Sequence, residues 1–262
     1  MQSKKISNFH THTCLCKHAE GVPLDYISVA AAQGCSVLGF SDHCPYPDDG
    51  RNTWHGVRME ECQAEDYVAD VRSAAENAPF PVFCGFECEY DKRYTFWYRE
   101  LKENFGIDYL VFGHHWVDVC GEYVYAPQLE SPKDIQRYFD WFLEGICSNL
   151  FNFIAHPDLI MANGRAWTKE LEKHFCEVID AAIEANLPLE INGEGISRPL
   201  VAEGQDFRHP YPVDRFWQLA VDKGAKVICN ADAHRPDVVI ANATKTREYA
   251  KKFGIVPIET IF

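Results

Sequence analysis

The sequence lacks several features that would place it in familiar protein classes. Its 262 residues contain no apolar run long enough to cross a membrane, and its eleven cysteines form no C-x-x-C pair. Lys and Arg are outnumbered by Asp and Glu, 25 to 39, which gives a formal net charge of −14. A nucleic-acid partner is therefore not expected, because binding to a phosphate backbone depends on clustered basic side chains.

Short signature motifs of common enzymes are absent as well. Neither G-x-x-x-x-G-K-[ST] nor G-x-G-x-x-G occurs, so a nucleotide-cradling loop is not indicated. The G-x-S-x-G motif of many serine hydrolases is also missing. The first apolar stretch is too brief for a signal peptide, and the cysteine count is odd. Both observations predict a cytoplasmic protein with reduced thiols.

Seven short apolar runs alternate with seven longer amphipathic segments. The runs show little in–out alternation, which is typical of parallel strands covered on both faces. Strands are expected at Ile6–His12, Ser36–His43, Val82–Tyr90, Tyr109–His115, Asn152–His156, Pro188–Asn192 and Lys226–His234. Helices are expected at Leu24–Gln33, Glu60–Asn77, Thr95–Phe105, Pro132–Ser148, Lys169–Asn186, Val213–Lys223 and Asp237–Phe253. The pattern predicts an α/β fold, with an open doubly wound sheet as the alternative to a barrel.

Six of the seven expected strands end in His, Asp or Glu. The first ends in His10-Thr11-His12 and the last in Asp232-Ala233-His234, so each pair at i and i+2 can share one face. The other ends carry His43, Glu87, His114, His115 and His156. A single His at a strand end is more often a hydrogen-bonded structural residue. In a parallel barrel, however, these ends converge on one face, which favours a barrel with a metal site there.

The residue types restrict the metal and the chemistry. Imidazole nitrogen mixed with carboxylate oxygen suits Zn, Fe or Mn better than an all-oxygen Ca or Mg site. The donors outnumber those that one ion needs, which predicts a multinuclear cluster with Glu87 or Asp232 as a bridging carboxylate. Such a cluster suits hydrolysis, because one ion lowers the pKa of a bound water while its neighbours hold phosphoryl oxygens.

The ordered motifs resemble a known family. They are His-Thr-His-Thr at 10–13, Ser-Asp-His at 41–43, Gly-Phe-Glu at 85–87, the His pair at 114–115, Ala-His-Pro at 155–157 and Asp-Ala-His at 232–234. Together they resemble the polymerase and histidinol phosphatase (PHP) superfamily, and most of all its histidinol-phosphate phosphatase branch. The matches run in family order through nearly the whole chain.

The resemblance implies a distorted seven-stranded (β/α)7 barrel, similar to a TIM barrel, that holds three divalent metal ions. The implied ligands are His10, His12, His18, His43, Glu87, His115, His156, Asp232 and His234. The inclusion of His18 rests on the resemblance, with a solvated loop histidine as the alternative. So does the choice of His115 over His114. No linker or repeat divides the chain, so residues 1–262 are expected to form a single domain.

Further residues are candidates for roles beside the metal ions. Asp42 is expected to orient a ligating imidazole. Arg198 resembles a phosphate-binding arginine, because a guanidinium fork matches phosphoryl oxygens. Arg165 and Arg235 follow ligand-bearing strands and are further candidates. For all three arginines, a surface ion pair is the alternative.

Several remaining residues are less informative. Trp54, His55 and Arg58 lie in the loop after the second strand, where substrate contact and a structural role are equal alternatives. His174 is expected to be a solvated helix residue. The cysteines flank the candidate ligands and are expected to act as buried small hydrophobes.

The strand-end ligands predict a metal-dependent hydrolase, and the resemblance implies a phosphomonoesterase that hydrolyses L-histidinol phosphate to L-histidinol and phosphate. Its partner would be a small phosphorylated substrate, without nucleic acid or membrane. One alternative is a phosphoesterase of the same superfamily that acts on a nucleotide, a phosphotyrosyl protein or a DNA 3′ end. Another is a non-catalytic, metal-stabilised regulatory module. The oligomeric state is not indicated.

Overall fold

Seven parallel strands form a nearly closed barrel in the computed structural model, which describes residues 6–49 and 54–262. The strands of the structure are β1 (Ile6–Asn8), β2 (Cys35–His43), β3 (Val82–Cys88), β4 (Tyr109–Phe112), β5 (Trp116–Val119), β6 (Glu122–Tyr125), β7 (Phe153–Ile154), β8 (Leu189–Asn192), β9 (Val201–Glu203), β10 (Asp206–Arg208) and β11 (Val227–Asn230). The barrel order is β1-β2-β3-β4-β7-β8-β11, and every adjacent pair is parallel. The predicted seven-stranded α/β barrel is confirmed.

Helices follow the barrel strands and cover the sheet. They are α1 (Pro23–Ala32), α2 (Ala64–Ala75), α3 (Thr95–Asn104), α4 (Pro132–Cys147), α5 (Lys169–Glu184), α6 (Gly193–Ser197), α7 (Asp214–Lys223) and α8 (Val239–Lys251). Sequence signals explain several ends: the Ser131 hydroxyl caps α4, the Thr168 hydroxyl caps α5, and Gly224 ends α7 at a φ of 78°. No helix of the described residues is long and apolar enough to span a bilayer.

Two asparagine side chains connect the first and last strands of the barrel. Asn230 Oδ1 accepts a hydrogen bond from the Phe9 N–H (2.8 Å), and Asn8 Oδ1 accepts one from the Ala231 N–H (2.7 Å). An isolated parallel bridge also joins the segments that follow β1 and β11. These side chains therefore supply hydrogen bonds that a regular β-ladder would provide.

An apolar cluster fills the barrel near the starts of several strands. Its buried members are Phe9, Tyr109, Val111, Phe153, Ala155 and Ile228. Phe83, Ile258 and Ile261 pack against it, and the Phe262 ring lies 4.6 Å from that of Phe83. Each fully buried large side chain contributes about 1.5–3 kcal/mol to stability, so this cluster anchors the barrel.

Six of the seven barrel strands are shorter than predicted, whereas β2 begins one residue earlier, at Cys35. The segments after β7 and β11 leave the sheet, because His156 and Asp232 adopt positive φ values of 29° and 49°. Non-glycine residues rarely adopt this conformation, and it is often found at functional sites. The β5–β6 and β9–β10 hairpins and the short helix α6 were not predicted. They lie within the connections after β4 and β8.

Candidate metal centre

The carboxyl ends of the barrel strands bring all nine candidate ligands together. The donor-atom groups, each with all atoms within 4.8 Å of one another, include His10/His12/Asp232, Glu87/His115/His156, His12/His43/His234 and Cys16/His18/His234. Three of these groups share His12 or His234, and Glu87 joins its own group to them through contacts with His10, His12 and His43, so they form one continuous cluster. Convergence of parallel strand ends on one face is the reason that distant parts of the sequence meet here.

Five imidazoles surround the Glu87 carboxylate, which is almost fully buried. The nitrogen–oxygen distances are 2.9 Å for His156, 3.1 Å for His43, 3.5 Å for both His10 and His12, and 3.6 Å for His115. A single carboxylate thus lies within reach of five imidazoles from four other strand ends. Such a position suits a carboxylate shared between two ions.

Two pairs of imidazole nitrogens face each other closely. The Nε2 atoms of His10 and His12 are 3.1 Å apart, and so are those of His18 and His234. Two donors about 2.1 Å from a tetrahedral ion would be about 3.4 Å apart. The spacing of these nitrogens therefore fits pairs of ligands on a shared cation.

Asp232 supplies a further observation that fits a metal ion. Its Oδ1 atom is buried and makes no hydrogen bond within the described part of the chain. The same oxygen lies 3.2 Å from His12 Nε2 and 3.4 Å from His10 Nε2. Buried polar atoms normally have partners, so an unpartnered carboxylate oxygen beside two imidazole nitrogens fits a cation ligand.

Electrostatics keep the central acids charged. Burial raises the pKa of Glu87, but His115, His10 and His43 hold it well below its usual range. The pKa of Asp232 is lowered in the same way, mainly by His10 and His12, despite burial. Burial lowers the pKa of His12, while Asp232 and Asp42 raise it to about 9. Both carboxylates are thus in the ionised form that binds cations.

Carboxylates also lie behind three of the imidazoles. Asp42 Oδ1 is 3.7 Å from His12 Nδ1, while Asp42 Oδ2 accepts the Thr13 N–H (3.0 Å). Glu89 accepts a hydrogen bond from His115 Nδ1 (2.6 Å). The third is Glu190, behind His10. Asp42 was predicted for this position, but Glu89 and Glu190 were missed.

Sequence signals for the two missed acids existed. Glu89 is two residues beyond Glu87, and residues two apart on an extended segment point to the same side. Glu190 lies within the apolar run 189–192, and a carboxylate inside a buried strand requires a partner. Neither signal identifies that partner, because the contacting histidines come from other strands.

The adjacent residues His114 and His115 point to different surroundings. His115 lines the cavity beside Glu87. His114 is buried, donates from Nε2 to the Tyr138 carbonyl (2.9 Å) and stacks on the Tyr138 ring at 4.4 Å. Burial lowers the pKa of His114 to about 3. It is therefore a neutral core residue in this structure.

An open cavity of about 280 Å³ lies against the cluster. Besides candidate ligands, its walls contain Val57, Glu89, Trp116, Tyr125, Gln128, Leu159, Arg198 and Tyr211. Trp116 and Tyr125 belong to the β5–β6 hairpin, and their rings are 5.2 Å apart. The unpredicted hairpin thus builds one wall of the candidate site.

The candidate arginines have different surroundings. Arg198 lines the cavity, donates from Nε to Glu194 (3.1 Å) and lies over the Tyr211 ring. Arg165 does not line the cavity, because backbone carbonyls of residues 127, 129 and 160 hold its guanidinium group. Arg235 is exposed and pairs with Asp237. The structure therefore brings only Arg198 of these three to the cavity.

Three of the less informative residues, Trp54, Arg58 and His174, are buried. Arg58 donates to the Trp54 carbonyl (2.9 Å) and the Cys44 carbonyl (2.9 Å), which is a structural role. The side chain of His55 lies outside the described part. The expectation that His174 is solvated was wrong: it is 3% exposed and stacks on Phe139 at 4.6 Å. Its charged neighbours in sequence concealed this packing.

Comparisons with known proteins agree with this geometry. The family model described as the PHP domain matches residues 8–194. A probable histidinol-phosphatase of Deinococcus radiodurans is 27% identical over 241 residues, covering 89% of this chain and 88% of that protein. One of Schizosaccharomyces pombe is 26% identical over 275 residues, covering 95% and 87% respectively.

A solved structure shares the fold. It is histidinol phosphate phosphatase from Lactococcus lactis, complexed with Zn, L-histidinol and phosphate. The TM-score is 0.70 at 16% sequence identity, covering 97% of this chain and 95% of that one. The family model matches residues 8–194, which is more than half of the chain. The chain therefore belongs to the PHP domain family.

Proposed function

We propose that this chain is a metal-dependent phosphomonoesterase that hydrolyses L-histidinol phosphate to L-histidinol and phosphate. The observation that carries the proposal is one cavity lined both by the histidine–carboxylate cluster and by Arg198. Relatives named histidinol-phosphatase, similar over nearly the full chain, support the substrate. The bound molecules of the Lactococcus lactis structure are of the same chemical kind.

The cluster offers donors for three divalent ions, Zn, Fe or Mn. We assign His10, His12 and Asp232 to a first group, Glu87, His115 and His156 to a second, and His18, His43 and His234 to a third. Bound there, the ions would act as Lewis acids towards phosphoryl oxygens and would lower the pKa of water. The mixture of imidazole and carboxylate donors is what these metals prefer.

The remaining residues of the cavity would hold the substrate. The Arg198 guanidinium can donate two parallel hydrogen bonds to phosphoryl oxygens, and Glu194 fixes its orientation through Nε. Asp42 would orient His12, since it lies beside the Nδ1 atom. One wall of the cavity is apolar and contains Val57, Trp116 and Leu159. This wall suits the organic part of a small ester and would exclude water from the cavity.

The net charge of −14 also favours a small substrate. A polynucleotide would need clustered basic side chains along its path. A single arginine at the cavity suffices for one phosphoryl group. The histidinol ammonium group is in turn compatible with an acidic protein.

Phosphate release tests the function. The chain, loaded separately with Mn, Zn or Fe, is assayed with L-histidinol phosphate, a nucleoside monophosphate, a phosphotyrosyl peptide and a 3′-phosphorylated oligonucleotide. We expect the highest kcat/KM with L-histidinol phosphate and loss of turnover in His12→Ala. Absence of phosphate release from every small monoester would contradict the proposal. Preference for another ester would keep the reaction and replace the substrate.

A further inference from the structure

Glu190 has a position that the proposed ligand set does not use. It lies on β8, is fully buried and receives four hydrogen bonds. Oε1 accepts from His10 Nδ1 (2.8 Å) and Asn230 Nδ2 (3.0 Å). Oε2 accepts from the His156 N–H (3.1 Å) and Asn192 Nδ2 (2.8 Å). One carboxylate therefore connects segments that follow or belong to β1, β7, β8 and β11.

The bond to His10 fixes the state of its imidazole ring. With Nδ1–H donated to Glu190, the lone pair of the neutral ring lies on Nε2. That nitrogen faces Asp232 Oδ1 at 3.4 Å and Glu87 Oε2 at 3.5 Å. The carboxylate therefore turns the correct nitrogen of His10 towards the first group of donors and raises its basicity.

The other oxygen of Glu190 acts on His156 through the backbone. His156 has a φ of 29°, a conformation that L-residues rarely adopt and that neighbouring contacts must hold. Its N–H points to Glu190, while its Nε2 lies 2.9 Å from Glu87 Oε1. The carboxylate therefore stabilises the turn that presents His156 to the second group.

We propose that Glu190 is a positioning residue that couples the first and second donor groups, so that its loss weakens metal binding at both. The inference rests on the proposed metal ligands but not on the proposed substrate. The inference predicts weaker metal binding at both the first and the second donor group. Loss of a carboxylate that contacts only one ligand would weaken binding at one group.

Glu89 provides the matched comparison within the same centre. It accepts from His115 Nδ1 (2.6 Å), the His115 N–H (2.9 Å) and the Trp116 N–H (3.3 Å), so the proposed ligand to which these bonds connect it is one member of the second group. Glu259 provides a remote control, because its carboxylate binds Ser7 and Arg247 (both 2.7 Å). Substitution of Gln for Glu190, Glu89 or Glu259 makes the same chemical change at each position. The three carboxylates differ in the groups that they contact.

Metal retention distinguishes the three variants. Chains stripped of metal are titrated with Co²⁺ against a competing chelator, while the visible spectrum reports the ligand environment. We expect Glu190→Gln to bind two of three ions about 10–100-fold more weakly and Glu89→Gln to bind one more weakly. Glu259→Gln should match the wild type. At equal cobalt concentration, the absorption bands of bound cobalt should be weaker in Glu190→Gln than in Glu89→Gln, because fewer ions are bound.

Two results would overturn the proposal: Glu190→Gln retaining metal like Glu259→Gln, or losing the same number of ions as Glu89→Gln. Should Glu190→Gln fail to fold, as judged by circular dichroism, Asn192→Ala replaces it. This variant keeps the Glu190 carboxylate but removes one of its donors, together with the hydrogen bond from Asn192 Nδ2 to Asp232 Oδ2 (3.0 Å). Both groups should weaken by a smaller factor, and weakening of the second group, which Asn192 reaches through Glu190, is the diagnostic result. Unchanged binding at either group would overturn the coupling. Because no substrate is used, a wrong substrate assignment leaves these readouts unaffected.

Discussion

Two buried regions of the same barrel are built from opposite kinds of side chain. The apolar cluster contains Phe9, Tyr109, Val111, Phe153, Ala155 and Ile228. The metal centre at the carboxyl ends of the strands contains histidines and carboxylates. Ile228 and His10 are both fully buried, so exposure does not distinguish the regions. The difference is in what burial does to each kind of group.

Burial of apolar side chains stabilises the fold, whereas burial of charged groups opposes folding unless partners compensate. In the metal centre, the paired groups compensate each other in part, but Asp232 Oδ1 has no hydrogen bond within the described chain. The apolar cluster therefore maintains the barrel, while the barrel holds the candidate metal centre in place. Substitutions in the apolar cluster should therefore lower the free energy of unfolding, whereas substitutions in the candidate metal centre should lower metal affinity.

The largest effect is expected from Glu87→Gln. Glu87 contacts imidazoles of all three proposed groups, and loss of metal-derived transition-state stabilisation of several kcal/mol should reduce kcat/KM on the order of a thousandfold. Steady-state phosphate release with L-histidinol phosphate measures this loss. Glu259→Gln serves as the control. Near-normal turnover by a metal-depleted Glu87→Gln chain would break the proposed link between cluster and activity.

Ile228→Ala should produce the opposite pattern. The side chain is fully buried in the apolar cluster and pairs with the C-terminal segment through Ile258. Removing it should lower the free energy of unfolding by about 2–5 kcal/mol, with unchanged metal content per folded chain. Chemical denaturation and elemental analysis check the two parts. Loss of metal from the folded variant would show that the regions are not separable.

Arg198→Ala should reduce kcat/KM by about tenfold to hundredfold, because a charge-assisted hydrogen bond contributes about 1.5–3 kcal/mol. Arg165→Ala is the matched variant. Its guanidinium group is bonded to backbone carbonyls, so the expected change is in stability rather than catalysis. Measurement of kcat/KM for both variants at equal metal content distinguishes the two roles. Equal kinetic losses would restore Arg165 as a phosphate-binding residue.

The smallest expected effect is the contribution of His114 to the pH dependence of the free energy of unfolding. The pKa of a solvated histidine is near 6.5, but burial lowers that of folded His114 to about 3. Between these values, only the unfolded chain takes the proton, so stability falls as pH decreases from about 6.5. The slope is at most about 1.4 kcal/mol per pH unit. Urea denaturation of metal-free wild type and His114→Phe from pH 7 to 5 should show a shallower dependence in the variant.

The pattern of strand ends predicted most of the histidines that meet, whereas His18 and the choice of His115 over His114 came from the family resemblance. His10, His43 and His156 follow apolar runs, and the ends of parallel strands in a barrel converge. The alternation of apolar runs and amphipathic segments predicted an α/β fold, and the candidate ligands at the strand ends favoured a barrel over an open doubly wound sheet. These features could be predicted because they depend on periodicity and chain order, not on the contacts of individual side chains.

Other features could not be predicted, because they depend on partners distant in sequence. The partners of Glu190 lie on four segments, and His174 is buried because Phe139 from another helix covers it. The β5–β6 hairpin follows His115 directly, within a segment without a clear periodic pattern. The positive φ of Asp232 also shortens a strand that the apolar pattern extended.

Elemental analysis of the purified wild-type chain, beside Ile228→Ala and Glu87→Gln, tests the central claim most directly. We expect three divalent ions per wild-type chain, the same number per folded Ile228→Ala chain and at most one in Glu87→Gln. Well under one ion per wild-type chain after mild purification would contradict the assignment of the buried histidine–carboxylate cluster as a metal centre.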